Sequence, residues 1–308
     1  MKKLFENLAG RGRVAVALSG GSDSMAMALM AKDAGLDMVA LTVDHGLREE
    51  SAAEAAWVAR QMEALGIDHE VLIYKGKIPT SNIEAKARGY RYSLLMRYCK
   101  AHGIKSLMVG HNAEEQVETF LLNLIRGSGV KGLSAMRPVI TQGGIDIVRP
   151  LLGVSKEELR EYLRARGQEW AEDPSNEDER YQRVKIRKLA GVFEELGLER
   201  DRVLGTIRNL QSADEALSYY TLQAVKNLVL ANQGSRIILS SRELERLPQA
   251  IAIAALGEII SPGKFIRADS VKRALKYILS GRPCTLGGFR IFHETAGRIV
   301  LAKQAAKC

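Results

Sequence analysis

The chain has 308 residues, 46% of them hydrophobic and 26% charged, which is a globular profile long enough for one large core or two smaller ones. No apolar run reaches the roughly 18–20 residues needed to cross a bilayer. The longest, Ala250–Ile260, is broken by Glu258 and is expected to be a core helix. The opening MKKLFENLAGRGR lacks the apolar middle of an export signal. Cys99, Cys284 and Cys308 are too scattered for a disulfide framework or a C-x-x-C metal pair. A cytoplasmic protein with reduced thiols and no membrane partner is expected.

Charge is unevenly spread. The net charge is +9, and Ser261–Cys308 alone carries ten basic and two acidic residues. Such a basic tail suits a phosphate-rich macromolecule, and equally a solvated, lysine-rich surface.

In chain order, short apolar runs alternate with amphipathic stretches. Arg13–Leu18, Met38–Val43, Glu70–Tyr74 and Ser106–Val109 are expected to be buried strands, with helices over Ser24–Ala34, Glu50–Leu65, Asn82–His102 and Ala113–Ile125. That alternation predicts an α/β fold, a parallel sheet with helices on both faces. Ligands in such folds sit at the carboxyl ends of the strands. Arg126–Met136 and Thr141–Gly144 are glycine-rich and expected to be loops, and Ser155–Arg166 a helix opened by a serine cap. Asp173–Arg180 is a polar connector. Val184 to about Asn232 is expected to be mostly helical, and Thr285–Lys303 a strand, a turn at Ala296-Gly297 and a strand. The expected division is a nucleotide-binding catalytic domain over 1–200, including a linker helix from about 184, and a smaller basic, mostly helical α+β domain over 201–308.

The sharpest motif is Ser19-Gly20-Gly21-Ser22-Asp23-Ser24, between the first strand and the first helix. Glycines let backbone N–H groups approach phosphate oxygens, the helix N-terminus adds partial positive charge, and the hydroxyls add donors. A Walker-type GK[ST] ending is missing, so the loop has no lysine of its own. His111, Glu115 and Glu118 have i, i+4, i+7 spacing, which a helix presents on one face, with Val117, Leu121 and Leu124 as its core face. An imidazole and two carboxylates suit receiving an amine and taking its proton; a solvated surface helix is the alternative. Arg88 and Arg91 either pair on the surface, Arg88 with Glu84, or face the substrates. Asp44 and His45 either end a strand or meet a nucleotide. Arg180, Arg183 and Arg187 share a helical face suited to a phosphate backbone, unless Glu177, Asp178 and Glu179 neutralise it. In the tail, Lys264, Arg267, Lys272 and Arg273 have few acidic neighbours and are the stronger candidate RNA surface.

SGGSDS matches the SGGxDS signature of the PP-loop ATP pyrophosphatases. Further motifs resemble those of the tRNA(Ile)-lysidine synthetase family: Val43-Asp44-His45-Gly46-Leu47-Arg48; Asn82-Ile83-Glu84 through Arg88, Arg91 and Tyr92; Gly110-His111-Asn112 through Thr119; and Arg126-Gly127 with Gly129, Gly132, Leu133 and Met136. Arg149-Pro150-Leu151-Leu152, Trp170, Asp173-Pro174-Ser175-Asn176, Tyr181, Arg183, Ile186 and Arg187 continue the series, which runs from residue 19 to 187. One position departs: Glu115 stands where the family usually has Asp, keeping the carboxylate on a longer arm.

The resemblance implies cleavage of ATP between its α and β phosphates, with Ser19–Ser24 on the phosphates, Asp23 on Mg²⁺, and Asp44 and His45 near the adenosine or the base. It implies that a cytidine of a CAU-anticodon tRNA(Ile) is adenylated and then joined to free L-lysine, with His111, Glu115, Glu118 and Arg88 or Arg91 positioning the reactants. Arg126, Arg183, Arg187 and the tail would hold the tRNA, and a homodimer is admitted. Two other readings stay open: another adenylating enzyme (a tRNA thiolase or an amidating ligase), and a catalytically silent RNA-binding protein.

Overall fold

The computed structural model describes residues 2–8, 10–44, 46, 51–76, 83–172, 182–263, 266–294 and 297–304. They fold as two compact units, Met1–Gln211 and Ser212–Cys308. The division lies eleven residues beyond the expected one, within a long helix that begins at Arg200.

In the first unit a 3-10 turn (Lys2–Leu8) precedes β1 (Val14–Ala17), α1 (Ser22–Asp33), β2 (Met38–Asp44), α2 (Ser51–Ala64), β3 (His69–Ile73), α3 (Ile83–Ala101), β4 (Ser106–Met108) and α4 (Ala113–Ile125). A one-turn α5 (Val130–Leu133), β5 (Val139–Gln142), β6 (Ile145–Val148) and α6 (Lys156–Arg164) follow, then α7 (Gln182–Lys188), α8 (Ala190–Glu195) and the long α9 (Arg200–Leu228). The sheet runs β3-β2-β1-β4-β6-β5, parallel throughout except for the β5–β6 pair.

The pleat explains the burial. Val14 and Val16 face a core completed by α1 and α6, through Met25, Ala28, Leu159 and Leu163. Ala15 faces the other way, joining Val39, Leu41, Leu107 and Ile147 against Leu95 and Cys99 of α3. A central strand covered on both faces must be apolar at every position, hence VAVA in β1 and MVAL at the start of β2. From β1 the chain winds to β2 and β3 on one side, then returns to place β4 on the other. The loops after β1 and β4 therefore diverge, opening a crevice at their carboxyl ends.

The expected strands and helices of this half are present, with their ends shifted by a residue or two. Thr141–Gly144, expected as loop, is instead the end of β5 and a hairpin turn, with Gly143 at φ 56° and Gly144 at φ 81°. Consecutive positive φ values are what a two-residue hairpin requires. The Arg126–Met136 loop contains α5 and is pinned beneath α4: buried Gln116 donates to Met136 O at 2.7 Å and accepts from Met136 N–H at 2.9 Å.

The second unit, described by itself, contains β7 (Val229–Asn232), β8 (Arg236–Ser240), α10 (Ser241–Arg246), α11 (Gln249–Ile260), α12 (Ala268–Leu279), β9 (Cys284–Leu286), β10 (Phe289–Glu294) and β11 (Arg298–Lys303). Its antiparallel sheet has the order β7-β8-β11-β10-β9. Leu239, Ile291, Ile299 and Leu301 pack on Leu256, Ile260, Leu275 and Ile278 of α11 and α12. Ala250–Ile260 is the core helix expected. Residues 229–232 correct the helical expectation: the chain leaves α9 there to pair with β8. No helix among the described residues is long and apolar enough to cross a membrane.

Candidate active site

A cavity of about 1070 Å³ opens where the β1 and β4 loops part. That is the upper end of ligand-pocket volumes, roughly 300–1,000 Å³, so more than one small substrate can enter.

One wall is the Ser19–Ser24 loop. Gly20 sits at φ 85°, and a Cβ there would lie 2.8 Å from Val58 Cγ2. Gly110, after β4, allows the closest approach of the two loops: its Cβ would meet Asp23 C and Ser24 Cα at 3.3 Å. Ser24 Oγ donates to Gly21 O at 3.0 Å and accepts from Ser19 N–H at 3.2 Å, folding the loop on itself. Gly21 caps α1 without a side chain, leaving first-turn N–H groups for an anion. Asp23 receives Ser22 Oγ at 3.2 Å and Asn112 Nδ2 at 3.0 Å. Burial pushes its carboxyl above the usual carboxylate range, against the opposing effect of the Lys156 charge and these two hydrogen bonds.

The facing wall is the start of α4. Asn112 is its N-cap: Oδ1 accepts from Glu115 N–H at 2.9 Å, while the Glu115 carboxylate reaches back to Asn112 N–H at 3.3 Å. This capping box corrects one expectation. The helix begins at Ala113, so His111 lies before it and shares no helical face with Glu115 and Glu118; all three nevertheless line the cavity. It also gives the longer Glu115 side chain a local task, because Glu at this position suits the reciprocal cap. Leu124 is another correction. It is 52% exposed, whereas Phe120, Leu121 and Leu122 are buried against Ile186, Val203, Leu204 and Ile207. α4 is apolar around most of its circumference, and these neighbours select the buried side.

Glu118 is 4% exposed, and Arg187 of α7 holds it from two nitrogens: Nε bonds Oε1, and Nη2 lies 3.3 Å from Oε2. Arg187, expected on an RNA-facing surface, thus turns its guanidinium to a cavity carboxylate. Burial would lower its pKa, but the hydrogen bond and charge of Glu118 outweigh it and hold the guanidinium firmly charged. Arg88 Nη2 lies 3.4 Å from His111 Nε2; since arginine only donates, the ring nitrogen accepts there. Arg88 and Arg91 flank the Tyr92 ring at 5.4 and 6.0 Å. Burial and the neighbouring Arg88 charge lower the Arg91 pKa, opposed by Tyr92 and Glu115.

Other expected residues lie elsewhere. Asp44 is not among the residues lining the cavity; its Oδ1 accepts from Ser51 Oγ at 2.6 Å and Gly46 N–H at 2.9 Å, fixing the approach to α2. Arg126 is exposed at the C-cap of α4. Arg267, Lys272 and Arg273 are exposed on or beside α12, opposite its buried Val271, Leu275 and Ile278. His45 and Lys264, and the side chains of Glu84 and Arg183, lie outside the described residues. Cys99 is in the core, where burial pushes its thiol up to about 11, and no described cysteine lines the cavity. Sequence reasoning gave no role to Lys156, Glu114 and Arg200, which line the cavity from α6, α4 and α9; Glu114 lies within the Gly110–Thr119 motif, whereas no motif spacing connects the other two to the loop.

A family model described as a PP-loop domain matches residues 1–192. A tRNA(Ile)-lysidine synthase from Ruegeria pomeroyi is 40% identical over 290 residues, covering 92% of this chain and 69% of that protein. One from Wolbachia pipientis is 37% identical, covering 100% and 75%, and one from Anaplasma marginale is 34% identical, covering 100% and 68%. Among solved structures, the U34-tRNA thiolase NcsA from Methanococcus maripaludis, with its [4Fe-4S] cluster, superposes with a TM-score of 0.59 at 18% identity, over 70% of this chain and 78% of that one. That likeness concerns the fold.

Proposed function

The chain belongs to the tRNA(Ile)-lysidine synthase family, and from that premise we propose that it uses ATP to join lysine to the wobble cytidine of a CAU-anticodon isoleucine tRNA. One observation carries the site assignment. A single side chain, Asn112, donates to Asp23 of the phosphate loop and accepts from Glu115 at the start of α4. Phosphate-binding and proton-accepting groups are thereby held in one frame.

In the first step the cytidine C2 oxygen bonds to the α-phosphorus of ATP, and pyrophosphate leaves with the electron pair of the broken bond. The loop N–H groups and the α1 N-terminus offer donors for the phosphates, ready before the charge develops. In the second step the lysine ε-amine bonds to C2, the C2–oxygen bond breaks, and AMP leaves. The amine must lose a proton, and His111 and Glu115, which line the cavity, can take it. Glu118, already paired with Arg187, offers a fixed negative surface for the substrate ammonium. Arg88 and Arg91 can hold the anionic parts of the nucleotide. A single-stranded anticodon base reaches such a pocket at modest cost.

Asp23 fits a Mg²⁺ ion. It is a half-buried carboxylate met by neutral donors, and no three acidic, His or Cys side chains among the described residues form a cage. A single carboxylate beside phosphates is a usual Mg²⁺ arrangement. The ion would neutralise phosphate charge when bound. The exposed Arg267, Lys272 and Arg273 are assigned to tRNA phosphates, and a cytoplasmic setting suits tRNA, ATP and free lysine.

The test is transfer of labelled lysine to CAU-anticodon isoleucine tRNA with ATP and Mg²⁺, comparing wild type with Asp23→Ala. Labelling that depends on ATP and on Asp23 is expected. ATP cleavage to AMP and pyrophosphate with no labelled tRNA would instead leave an adenylating enzyme with another acceptor.

A further inference from the structure

The phosphate loop ends in Ser-Asp-Ser and brings no cation of its own. The structure supplies one from a distant part of the chain. Lys156, the first residue of α6, lines the same cavity as Ser19, Ser22 and Asp23. Its backbone is tied to the first turn of α4: Ala113 N–H donates to Val154 O at 3.0 Å, and Lys156 N–H donates to Glu114 Oε2 at 2.9 Å. Asn112, which caps that turn, donates to Asp23 at 3.0 Å. A short series of bonds therefore keeps Lys156 in register with the loop. The Lys156 ammonium itself makes no hydrogen bond or ion pair with the described residues. Its charge nevertheless acts on both Asp23 and Glu172, so it lies within electrostatic reach of the loop.

From this placement we infer that Lys156 holds the pyrophosphate half of ATP and neutralises it as it departs. The inference rests on the adenylation reading above. As the C2 oxygen bonds to the α-phosphorus, the bond from that phosphorus to the α,β-bridging oxygen breaks, and its electron pair adds to the charge on pyrophosphate. Loop N–H groups provide only partial charges. An ammonium has three donors and a full positive charge, and among the described residues this one is paired with no carboxylate. Arg187 cannot serve in its place, because Glu118 occupies it. The loop-borne lysine of Walker-type sites is thus replaced by one delivered through tertiary structure.

The experiment compares wild type, Lys156→Ala, Lys156→Met and Lys156→Arg in three assays: binding of inorganic pyrophosphate by calorimetry, ATP–pyrophosphate exchange with the tRNA, and lysine transfer from pre-adenylated tRNA. Removing the charge is expected to slow exchange by about 10²–10³-fold, the range for deleting one charge-stabilising donor. Pyrophosphate affinity should fall by about tenfold or more, while Lys156→Arg stays within about tenfold of wild type. The KM for lysine in the transfer assay should not move. Unchanged pyrophosphate affinity in Lys156→Ala overturns the inference, as does a variant whose only defect is a raised KM for lysine. Lys156→Met keeps the aliphatic stem, so equal melting temperatures separate loss of charge from loss of fold. Pyrophosphate binding needs no tRNA. If wild type transfers no lysine yet loses pyrophosphate affinity on substitution, the proposed function fails while the role of Lys156 stands.

Discussion

The two walls of the cavity treat charge in opposite ways. On the α4 wall, buried Glu118 has its counter-charge in Arg187, and Glu115 is folded into the helix cap. On the loop wall, Asp23 is half-buried among neutral donors, its carboxyl pushed upward, with the Lys156 ammonium nearby but not bonded to it. The first wall is completed by folding, so its groups contribute to stability. The second is left incomplete by folding, so its carboxyl opposes stability, and under the proposed function phosphate and metal would complete it.

The sharpest way to break this contrast is the Glu118–Arg187 pair. Arg187→Ala leaves a carboxylate that is 4% exposed without its cation, and should cost about 2–4 kcal/mol of unfolding free energy. Glu118→Ala should cost less, about 1–2 kcal/mol, because Arg187 keeps 38% side-chain exposure and can turn to water. Urea denaturation of both variants checks the order; a more costly Glu118→Ala would mean that the pair is not asymmetric.

Asn112 joins the walls and should separate stability from activity. Asn112→Ala loses the helix cap, at about 1 kcal/mol. Asn112→Asp retains an acceptor for Glu115 N–H but sets a second carboxylate against Asp23. Two such groups resist joint ionisation. Their ionisation then needs higher pH, so the acid limb of the activity profile should move up in Asn112→Asp while most of the stability remains.

Asp23→Asn should lose lysine transfer and yet melt higher, by about 2–4 °C for each kcal/mol of relieved burial cost. The sign follows from the raised carboxyl. The folded state holds its proton to higher pH than the unfolded chain does, so wild-type stability falls as pH rises from the ordinary carboxylate range through the raised folded value. The variant has no such fall, and melting curves against pH measure the gap.

The smallest effects belong to the exposed cations of the second unit. Lys272→Glu and Arg273→Glu should each weaken tRNA binding similarly across sequences and lower the salt slope by about one. ATP–pyrophosphate exchange at saturating tRNA should not change. An altered exchange rate would tie these residues to the chemistry.

The phosphate loop, α4 and the β1–β4 strand ends were legible from sequence because their residues are close in the chain and follow local rules of turn, cap and period. His111 was placed on the helix because spacing alone does not show where a cap stops it; the capping box at Asn112 does. Val117, Leu121 and Leu124 satisfied the apolar period, but so did their neighbours, and only Ile186, Val203 and Ile207 picked the buried side. The hairpin at Gly143-Gly144 was hidden because a glycine pair equally suits a loop.

By itself, the sequence determined an α/β unit, the Ser19–Ser24 turn between its first strand and helix, and the family to which the chain belongs, since each is written in contiguous residues. Tertiary structure alone decided that Arg187 answers Glu118 across 69 positions and that Lys156 stands beside a loop more than a hundred residues earlier. The physical reason is one of distance. Turns, caps and periods act within a few residues, whereas the pairing of charges depends on which helix ends the sheet brings together.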